Sequence, residues 1–271
     1  MRKFFVFITA MLLILNLPSI NVLAAPGIYS VGGLGVNDYG ASSGSGCYGN
    51  RAGASLVTKL MGRFPYESVT RSYQYLNSDA YPSRFKSSST VDLFIYSGHG
   101  VKKSSYNTPH FYASSATKTT HTGSDHSTTT GTFEVDTTTV LFKHAYVAVY
   151  TCNWLNFDDN TRAVNQFKTF GSGCRLELGY GTTMYLDSRE GNAFGYHMMD
   201  YVETVKDAFF NAATYYQSQS NSDVIVRVAG YKSAMSDTAY AGSASTPPGY
   251  SGNNSQYEYY TKTVPGTGII I

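Results

Sequence analysis

Two residues in this sequence, a histidine and a cysteine, have side chains that could act together as catalysts. His99 closes the apolar run VDLFIYSGHG, and Cys152 closes a second apolar run, YVAVYTCNW. Cysteine attacks carbonyl carbons as the thiolate, and a neighbouring imidazolium lowers the thiol pKa from its ordinary value of about 8.5. The same imidazole can protonate the leaving group. These two residue types therefore indicate nucleophilic catalysis by cysteine.

Each apolar run has the length of a strand and delivers its reactive side chain at the carboxyl end. Parallel α/β sheets place ligand and catalytic groups at that edge. If the two strands are neighbours, His99 and Cys152 face each other across it. Gly98 would permit a sharp turn, and Gly100 would let a substrate approach the backbone closely. The N–H groups of Gly100 and Cys152 are thus our candidate oxyanion-hole donors.

The remaining sequence predicts strands and helices in the alternating order of a mostly parallel α/β sheet. Apolar spacing predicts a helix that ends before Pro65, and a stripe of period near 3.6 predicts one long helix in the second half. The predicted strands cover 69–76, 92–96, 146–152, 174–180 and 223–231, and the predicted helices cover 50–64, 161–170 and 192–217.

Two polar segments have no clear periodicity. Residues 110–139 lie between the two proposed catalytic strands and are rich in Ser, Thr and Gly. A loop this long is unusual in a compact domain unless it is functional or disordered. It fits a flap, a processing loop or a solvated insertion, with a hairpin near 132–135. Residues 241–271 are rich in Gly, Ser, Pro and Tyr, and fit either an edge strand or a poorly ordered tail.

The first 24 residues have the form of a secretory signal peptide. Arg2 and Lys3 precede an apolar run, and small residues precede Ala25. The run is shorter than the ~20 residues that a membrane span needs. We therefore expect cleavage after residue 24, a secreted extracellular domain over 25–240, and no membrane partner after cleavage. An uncleaved N-terminal anchor is the alternative.

Charge and histidine spacing exclude several classes of partner. Without residues 1–24, Lys plus Arg falls from 20 to 18, which equals the 18 Asp plus Glu. A neutral chain has no electrostatic attraction to nucleic acid, so we expect no such partner. His110, His121 and His126 lie in the polar segment at spacings that do not match the common zinc patterns. We therefore predict no metal and no cofactor.

The three cysteines allow two interpretations. Cys47 and Cys174 lie in similar settings, GSGCYG and GSGCRL, and could form a disulfide in an oxidising compartment. Cys152 would then remain outside the disulfide, as one cysteine must when an exported protein has an odd number of cysteines. In the alternative, all three are reduced and Cys152 is a small buried hydrophobic residue.

A hydrophobic strand ending in His-Gly, followed by a hydrophobic strand ending in Cys, resembles the signature of clan CD cysteine peptidases, which include caspases, gingipains, legumains, separases and bacterial CHAT proteases. The chain is similar, more closely still, to a family of secreted bacterial proteins of unknown function with the same pair. The 53 residues from His99 to Cys152 are close to the roughly 50 of caspases. The resemblance covers roughly 91–231. It implies a caspase-like three-layer sandwich with a mostly parallel central sheet.

The resemblance also implies an activity. His99 would be the general acid and base, Cys152 the nucleophile, and the substrate a peptide or protein. One departure is that Asn153 and the bulky Trp154 follow the cysteine, where small residues are frequent in the clan. An acidic pocket floor, with Asp187 or Glu190 as candidates, would favour Arg or Lys before the cleaved bond. The alternative is a catalytically inactive secreted binding or surface protein that keeps the fold.

Overall fold

A computed structural model of the chain describes residues 27–36, 52–64, 71–76, 91–102, 107–112, 121–123, 126–129, 132–134, 146–157, 174–240 and 256–269. The predicted signal peptide at 1–24 and the predicted helix at 161–170 lie outside these residues. Within them, every helix is too short or too polar to cross a lipid bilayer.

The described residues form strands and helices of a mixed α/β protein. In chain order the strands are β1 (Ser30–Gly35), β2 (Arg71–Leu76), β3 (Leu93–Ser97), β4 (Gly100–Lys102), β5 (Asn107–Tyr112), β6 (His121–Gly123), β7 (His126–Thr129), β8 (Thr132–Glu134), β9 (Tyr146–Tyr150), β10 (Leu176–Tyr180), β11 (Val224–Tyr231) and β12 (Tyr257–Val264). The helices are α1 (Gly53–Met61), α2 (Ser188–Met199), α3 (Val205–Gln217) and the 3₁₀-helix Lys232–Ala234.

Seven of the described strands form one mostly parallel sheet, in the order β12-β11-β10-β9-β3-β1-β2. The pairs β1–β2, β1–β3, β3–β9 and β9–β10 are parallel, whereas β11 is antiparallel to both β10 and β12. The prediction of an α/β fold with a mostly parallel sheet is therefore confirmed. Strand β12 shows that the C-terminal segment contributes an edge strand.

The central strands are buried on both faces, which explains why they are continuous apolar runs. On one face, called the helix face, residues such as Ile95 and Ala148 form one apolar cluster with α1, α2 and α3. On the other, called the Trp154 face, Phe94 and Val149 pack in a second cluster with Trp154. All described helices that contribute to these clusters pack on the helix face. A second helical layer is not among the described residues.

The prediction of one long helix over 192–217 was wrong, because the chain forms α2 and α3 with a break between them. Val202 lies in the left-handed region at φ 55°. Thr204 then caps α3, and its Oγ1 accepts a hydrogen bond from the N–H of Asp207 at 3.0 Å. Buried Met198 and Val205 keep the apolar stripe continuous across the break, so periodicity alone conceals it.

Glycines in β1 bring α1 unusually close to the sheet. A Cβ added at Gly33 would lie 2.4 Å from Cγ1 of Val57, and one at Gly35 would lie 2.6 Å from Cα of Ala54. A Cβ at Gly191 of α2 would lie 2.7 Å from the carbonyl oxygen of Leu56 in α1. The glycines are therefore explained by close packing around α1.

The polar segment between the proposed catalytic strands contains short strands. β4, β5 and β8 form a three-stranded antiparallel sheet, and β6 pairs with β7. The predicted hairpin near 132–135 is replaced by pairing of β8 with β5, which lies earlier in the chain. Strand β4 begins directly after His99, so this small sheet continues from the end of β3.

Candidate active site

The structure places His99 and Cys152 at the carboxyl ends of neighbouring strands. Strands β3 and β9 are parallel, and Ser97 lies opposite Tyr150. His99 and Cys152 each lie two residues beyond the last paired residue of their strand. The N–H of Gly98 donates to the carbonyl oxygen of Tyr150 at 3.2 Å, so backbone pairing extends beyond the assigned strands. The spacing of 53 residues in the sequence thus equals the offset of the strand register.

The side chain of Cys152 lies on the helix face of the sheet. Cys152 packs against the helix-face cluster, as do Ile95 and Tyr150 from β3 and β9. His99 follows a bend at Gly98, beyond the last residue of β3. His99 is half-buried, and its Nε2 atom is shielded from solvent. An imidazole and a thiol therefore follow neighbouring strands at the same edge of the sheet.

A backbone N–H group points at the sulfur of Cys152. The N–H of Met184 donates to Sγ at 3.5 Å, and Sγ in turn donates to the carbonyl oxygen of Met184 at 4.0 Å. Met184 belongs to residues 181–187, called here the Met184 loop, which connect β10 to α2. A donor aimed at sulfur favours the thiolate over the thiol. Sequence reasoning missed this residue because the contact is made by the backbone.

The glycine after His99 is required by the end of β9. A Cβ added at Gly100 would lie 2.6 Å from the carbonyl oxygen of Cys152 and 2.7 Å from Oγ1 of Thr151. This close approach accounts for the glycine without reference to a substrate, which differs from the reason we gave from the sequence. The oxyanion-hole roles of Gly100 and Cys152 stay predictions.

The bulky residue after the cysteine lies away from the thiol. Asn153 has a φ of 60°, a left-handed conformation that asparagine tolerates well, and its N–H donates to the carbonyl oxygen of Thr182 at 3.0 Å. The chain then directs Trp154 into the cluster on the opposite face, where it is fully buried. A Cβ added at Gly179 would lie 2.7 Å from Cδ1 of Trp154. Trp154 therefore does not crowd the site.

A family model with the description Domain of unknown function (DUF6345) matches residues 35–263. The chain belongs to this family. The matched range contains His99, Cys152 and the Met184 loop of the DUF6345 domain. Among curated proteins, none matches the chain.

The two acidic residues considered for a pocket floor have other positions in the DUF6345 domain. Asp187 caps α2, since its Oδ1 accepts from the N–H of Arg189 at 2.7 Å, and it also forms an ion pair with that side chain. Burial raises the pKa of Asp187, but the Arg189 contacts outweigh it and leave the pKa below its ordinary value. Glu190 is fully buried, and burial raises its pKa to about 8.

The second described cysteine lies at the opposite edge of the DUF6345 sheet. Cys174 is a buried thiol that precedes β10, and its Sγ donates to the carbonyl oxygen of Leu176 at 2.9 Å. Cys174 is enclosed in the Trp154 face, and its predicted disulfide with Cys47 stays a prediction. Cys47 lies outside the described residues. Burial, followed by the charge of Glu177, raises the pKa of Cys174 well above its ordinary value.

The described part of the domain holds no group of three or more His, Cys, Asp and Glu side chains that could bind a metal ion. His110, His121 and His126 lie on β5, β6 and β7, for which the structure describes the backbone only. The prediction of no metal stays a prediction for this segment.

Proposed function

We propose that this protein is a cysteine endopeptidase that uses Cys152 as nucleophile and His99 as proton carrier. The observation that carries the proposal is the parallel pairing of β3 and β9, because the ends of the two strands that precede His99 and Cys152 lie side by side. The N–H of Met184 supports it, because a donor 3.5 Å from Sγ favours the thiolate.

The reaction that this arrangement supports is acyl transfer in two steps. The thiolate of Cys152 attacks the peptide carbonyl, and the C–N bond breaks as the imidazolium of His99 protonates the leaving amine. The neutral imidazole then takes a proton from water, whose oxygen attacks the thioester. The C–S bond breaks, and the acid product leaves the regenerated pair of Cys152 thiolate and His99 imidazolium.

The proposal includes a caspase-like arrangement and an extracellular site of action. Strand order supports the first, because β1 lies between β2 and β3, while β9 and β10 follow in parallel. The direction in which successive strands join the sheet reverses between β1 and β3. In open α/β sheets, ligands bind in the crevice at such a reversal. The signal-peptide pattern in residues 1–24 supports secretion.

The test is the rate of alkylation of Cys152 by iodoacetamide as a function of pH, with mass spectrometry to locate the label. We expect the pH midpoint of alkylation to lie below the ~8.5 of an ordinary thiol, because His99 and the N–H of Met184 favour the thiolate. We expect His99→Ala to raise that midpoint. A fluorogenic peptide library then measures hydrolysis, which Cys152→Ala should abolish.

Cys174→Ala is the matched control, since it removes the other described thiol and should leave hydrolysis and the Cys152 midpoint unchanged. An ordinary midpoint that His99→Ala does not move, together with no hydrolysis of any peptide, would contradict the proposal. That result would favour a non-catalytic secreted binding protein with the same fold.

A further inference from the structure

We propose that Gln217 and Glu190 are positioning residues of the Cys152 site, because together they fix the backbone that contacts the sulfur. Their role in catalysis rests on the proposed function. Their effect on the reactivity of the Cys152 thiol can be measured independently of that function. Neither side chain contacts the sulfur in the hydrogen bonds of the described residues, so both act through the Met184 loop.

Gln217 holds the Met184 loop by a pair of hydrogen bonds. It is the last residue of α3 and is fully buried. Its Oε1 accepts from the N–H of Tyr185 at 2.9 Å, and its Nε2 donates to the carbonyl oxygen of Tyr185 at 2.8 Å. The N–H of Tyr185 belongs to the same peptide group as the carbonyl of Met184, which lies 4.0 Å from Sγ of Cys152. The amide therefore fixes the peptide unit beside the nucleophile.

Glu190 in turn holds Gln217. Nε2 of Gln217 donates to Oε2 of Glu190 at 2.6 Å, and the hydroxyl of Tyr180 donates to Oε1. This network joins β10, α2, α3 and the Met184 loop. The other titratable groups that influence Glu190 or are influenced by it are Tyr150 on β9, Asp187 before α2 and Tyr216 on α3. A buried network of this kind leaves few alternative arrangements, because any broken bond leaves a buried polar group unsatisfied.

Burial raises the pKa of Glu190 to about 8 and so favours its protonated form at neutral pH, while the hydrogen bonds from Tyr180 and Gln217 act in the opposite direction. A glutamine at this position would have nearly the same shape and charge as the protonated acid. Its oxygen can accept from Gln217 while its amide faces Tyr180. Glu190→Gln is therefore a conservative variant that should preserve the network, whereas Glu190→Leu should break it.

The chain offers a matched control on the other face of the sheet. Glu177 is also fully buried, and burial raises its pKa to about 8. Among the described residues neither of its carboxylate oxygens has a hydrogen-bond partner, and it makes no contact with the Met184 loop in the described hydrogen bonds. Glu177→Gln therefore changes a buried carboxyl group without changing the proposed positioning.

The experiment measures the pH midpoint of Cys152 alkylation in Gln217→Leu, Glu190→Leu, Glu190→Gln and Glu177→Gln. We expect Gln217→Leu and Glu190→Leu to slow alkylation at pH 6 by about tenfold, which matches the loss of one hydrogen bond to a charged group. Glu190→Gln and Glu177→Gln should keep the wild-type midpoint. Circular dichroism and thermal unfolding confirm that each variant is folded.

Gln217→Glu is the second variant if Gln217→Leu does not fold. It keeps an oxygen for the N–H of Tyr185 but loses the donor to the carbonyl of Tyr185 and to Glu190. We expect a smaller rise in the midpoint, in the same direction. With ¹⁵N-methionine labelling, the amide resonance of Met184 should follow the titration of Cys152 in the wild type and lose that response in Gln217→Leu.

The same variants in a His99→Ala background separate the two proposals. The dyad fails if His99→Ala does not move the Cys152 midpoint. The positioning role is contradicted if the folded Gln217→Leu and Glu190→Leu variants keep the pH midpoint of Cys152 alkylation of their parent protein. This comparison is made in both the wild-type and the His99→Ala background. A lower melting temperature without a change in midpoint would show a purely structural role and would overturn the inference.

Discussion

Cys152 and Cys174 are thiols next to neighbouring strands, at opposite edges of one sheet. Cys152 follows the carboxyl end of β9, is half-buried, and receives a hydrogen bond from the N–H of Met184. Cys174 precedes the amino end of β10 and is fully buried in the Trp154 face. Its sulfur is itself the donor, to the carbonyl of Leu176. Both sulfurs therefore exchange hydrogen bonds with the backbone, but Cys152 is half-buried, whereas burial raises the pKa of Cys174 well above its ordinary value.

The difference shows that the end of the strand decides the chemistry of the thiol. At the carboxyl edge, the loop after β10 brings a backbone N–H group to Cys152, and His99 follows the neighbouring strand β3. Near the amino edge, the ionisable neighbour that raises the pKa of Cys174 is the buried carboxyl group of Glu177. Residue type alone does not distinguish the two positions.

The largest expected effect is the ratio of the two alkylation rates in the native protein. At pH 7 we expect Cys152 to react at least ~10³ times faster than Cys174, because a fully buried thiol reacts only from open states populated at 10⁻³ or less. Time-resolved alkylation with peptide mass spectrometry measures both rates in one sample. In denaturant the two rates should converge, and comparable rates without denaturant would contradict the contrast.

A smaller effect is expected from Gly100→Ala. The added methyl group would lie 2.6 Å from the carbonyl oxygen of Cys152, so the end of β9 must move. A displacement of about 1 Å in a catalytic group lowers rates by about 10²-fold. Labelling of Cys152 by a peptidyl electrophile measures this loss.

The control for that variant is Gly62→Ala at the end of α1. Gly62 has a helical φ of −66°, and the nearest atom to an added Cβ is 3.3 Å away. This alanine should leave labelling of Cys152 unchanged. Equal labelling of the Gly100→Ala and Gly62→Ala proteins would show that the close approach at Gly100 does not position the thiol.

The smallest effect concerns the surroundings of Cys174. Burial raises the pKa of Glu177 from 4.5 to about 8 in the folded protein. The native state therefore holds this proton more tightly than the unfolded state. Its contribution to stability is complete below about pH 4.5, declines as the pH rises, and is lost above about pH 8.

Glu177→Gln should remove this pH dependence. Between pH 6 and pH 8, we expect the wild type to lose about 2 kcal/mol of unfolding free energy relative to the variant. Urea unfolding at the two pH values measures the difference. If the unfolding free energies of both proteins change equally with pH, water reaches Glu177. The region around Cys174 would then be more hydrated than its burial indicates.

The central strands and the candidate dyad follow directly from the sequence. Runs such as LFIYS and YVAVY are apolar throughout because both faces of the sheet are covered. His99 and Cys152 were found because each closes an apolar run of strand length, and their spacing of 53 residues equals the offset between the paired residues of β3 and β9. Strands that pair in a parallel sheet end at the same edge. The location of these two residues at that edge could therefore be predicted from the apolar runs that precede them.

Contacts made by the backbone or by buried polar side chains were not found from the sequence. Met184 acts through its N–H, which every residue except proline carries, so its side chain gives no signal. Glu190 did carry a signal, because it lies four residues before buried Phe194 and therefore on the buried side of α2. An acid at such a position indicates a hydrogen-bonded network, and this would have pointed to Gln217.

The glycines around α1 determine which substitutions the protein tolerates. At Gly33 and Gly35 in β1 and at Gly191 in α2, a single methyl group would overlap atoms of α1. The neighbouring Leu34 points to the opposite face and has other apolar side chains around it. A random library selected for folding will therefore lose variants at these three glycines while it retains apolar exchanges at Leu34. We therefore expect the tolerated substitutions in β1 to lie on the Trp154 face of the strand.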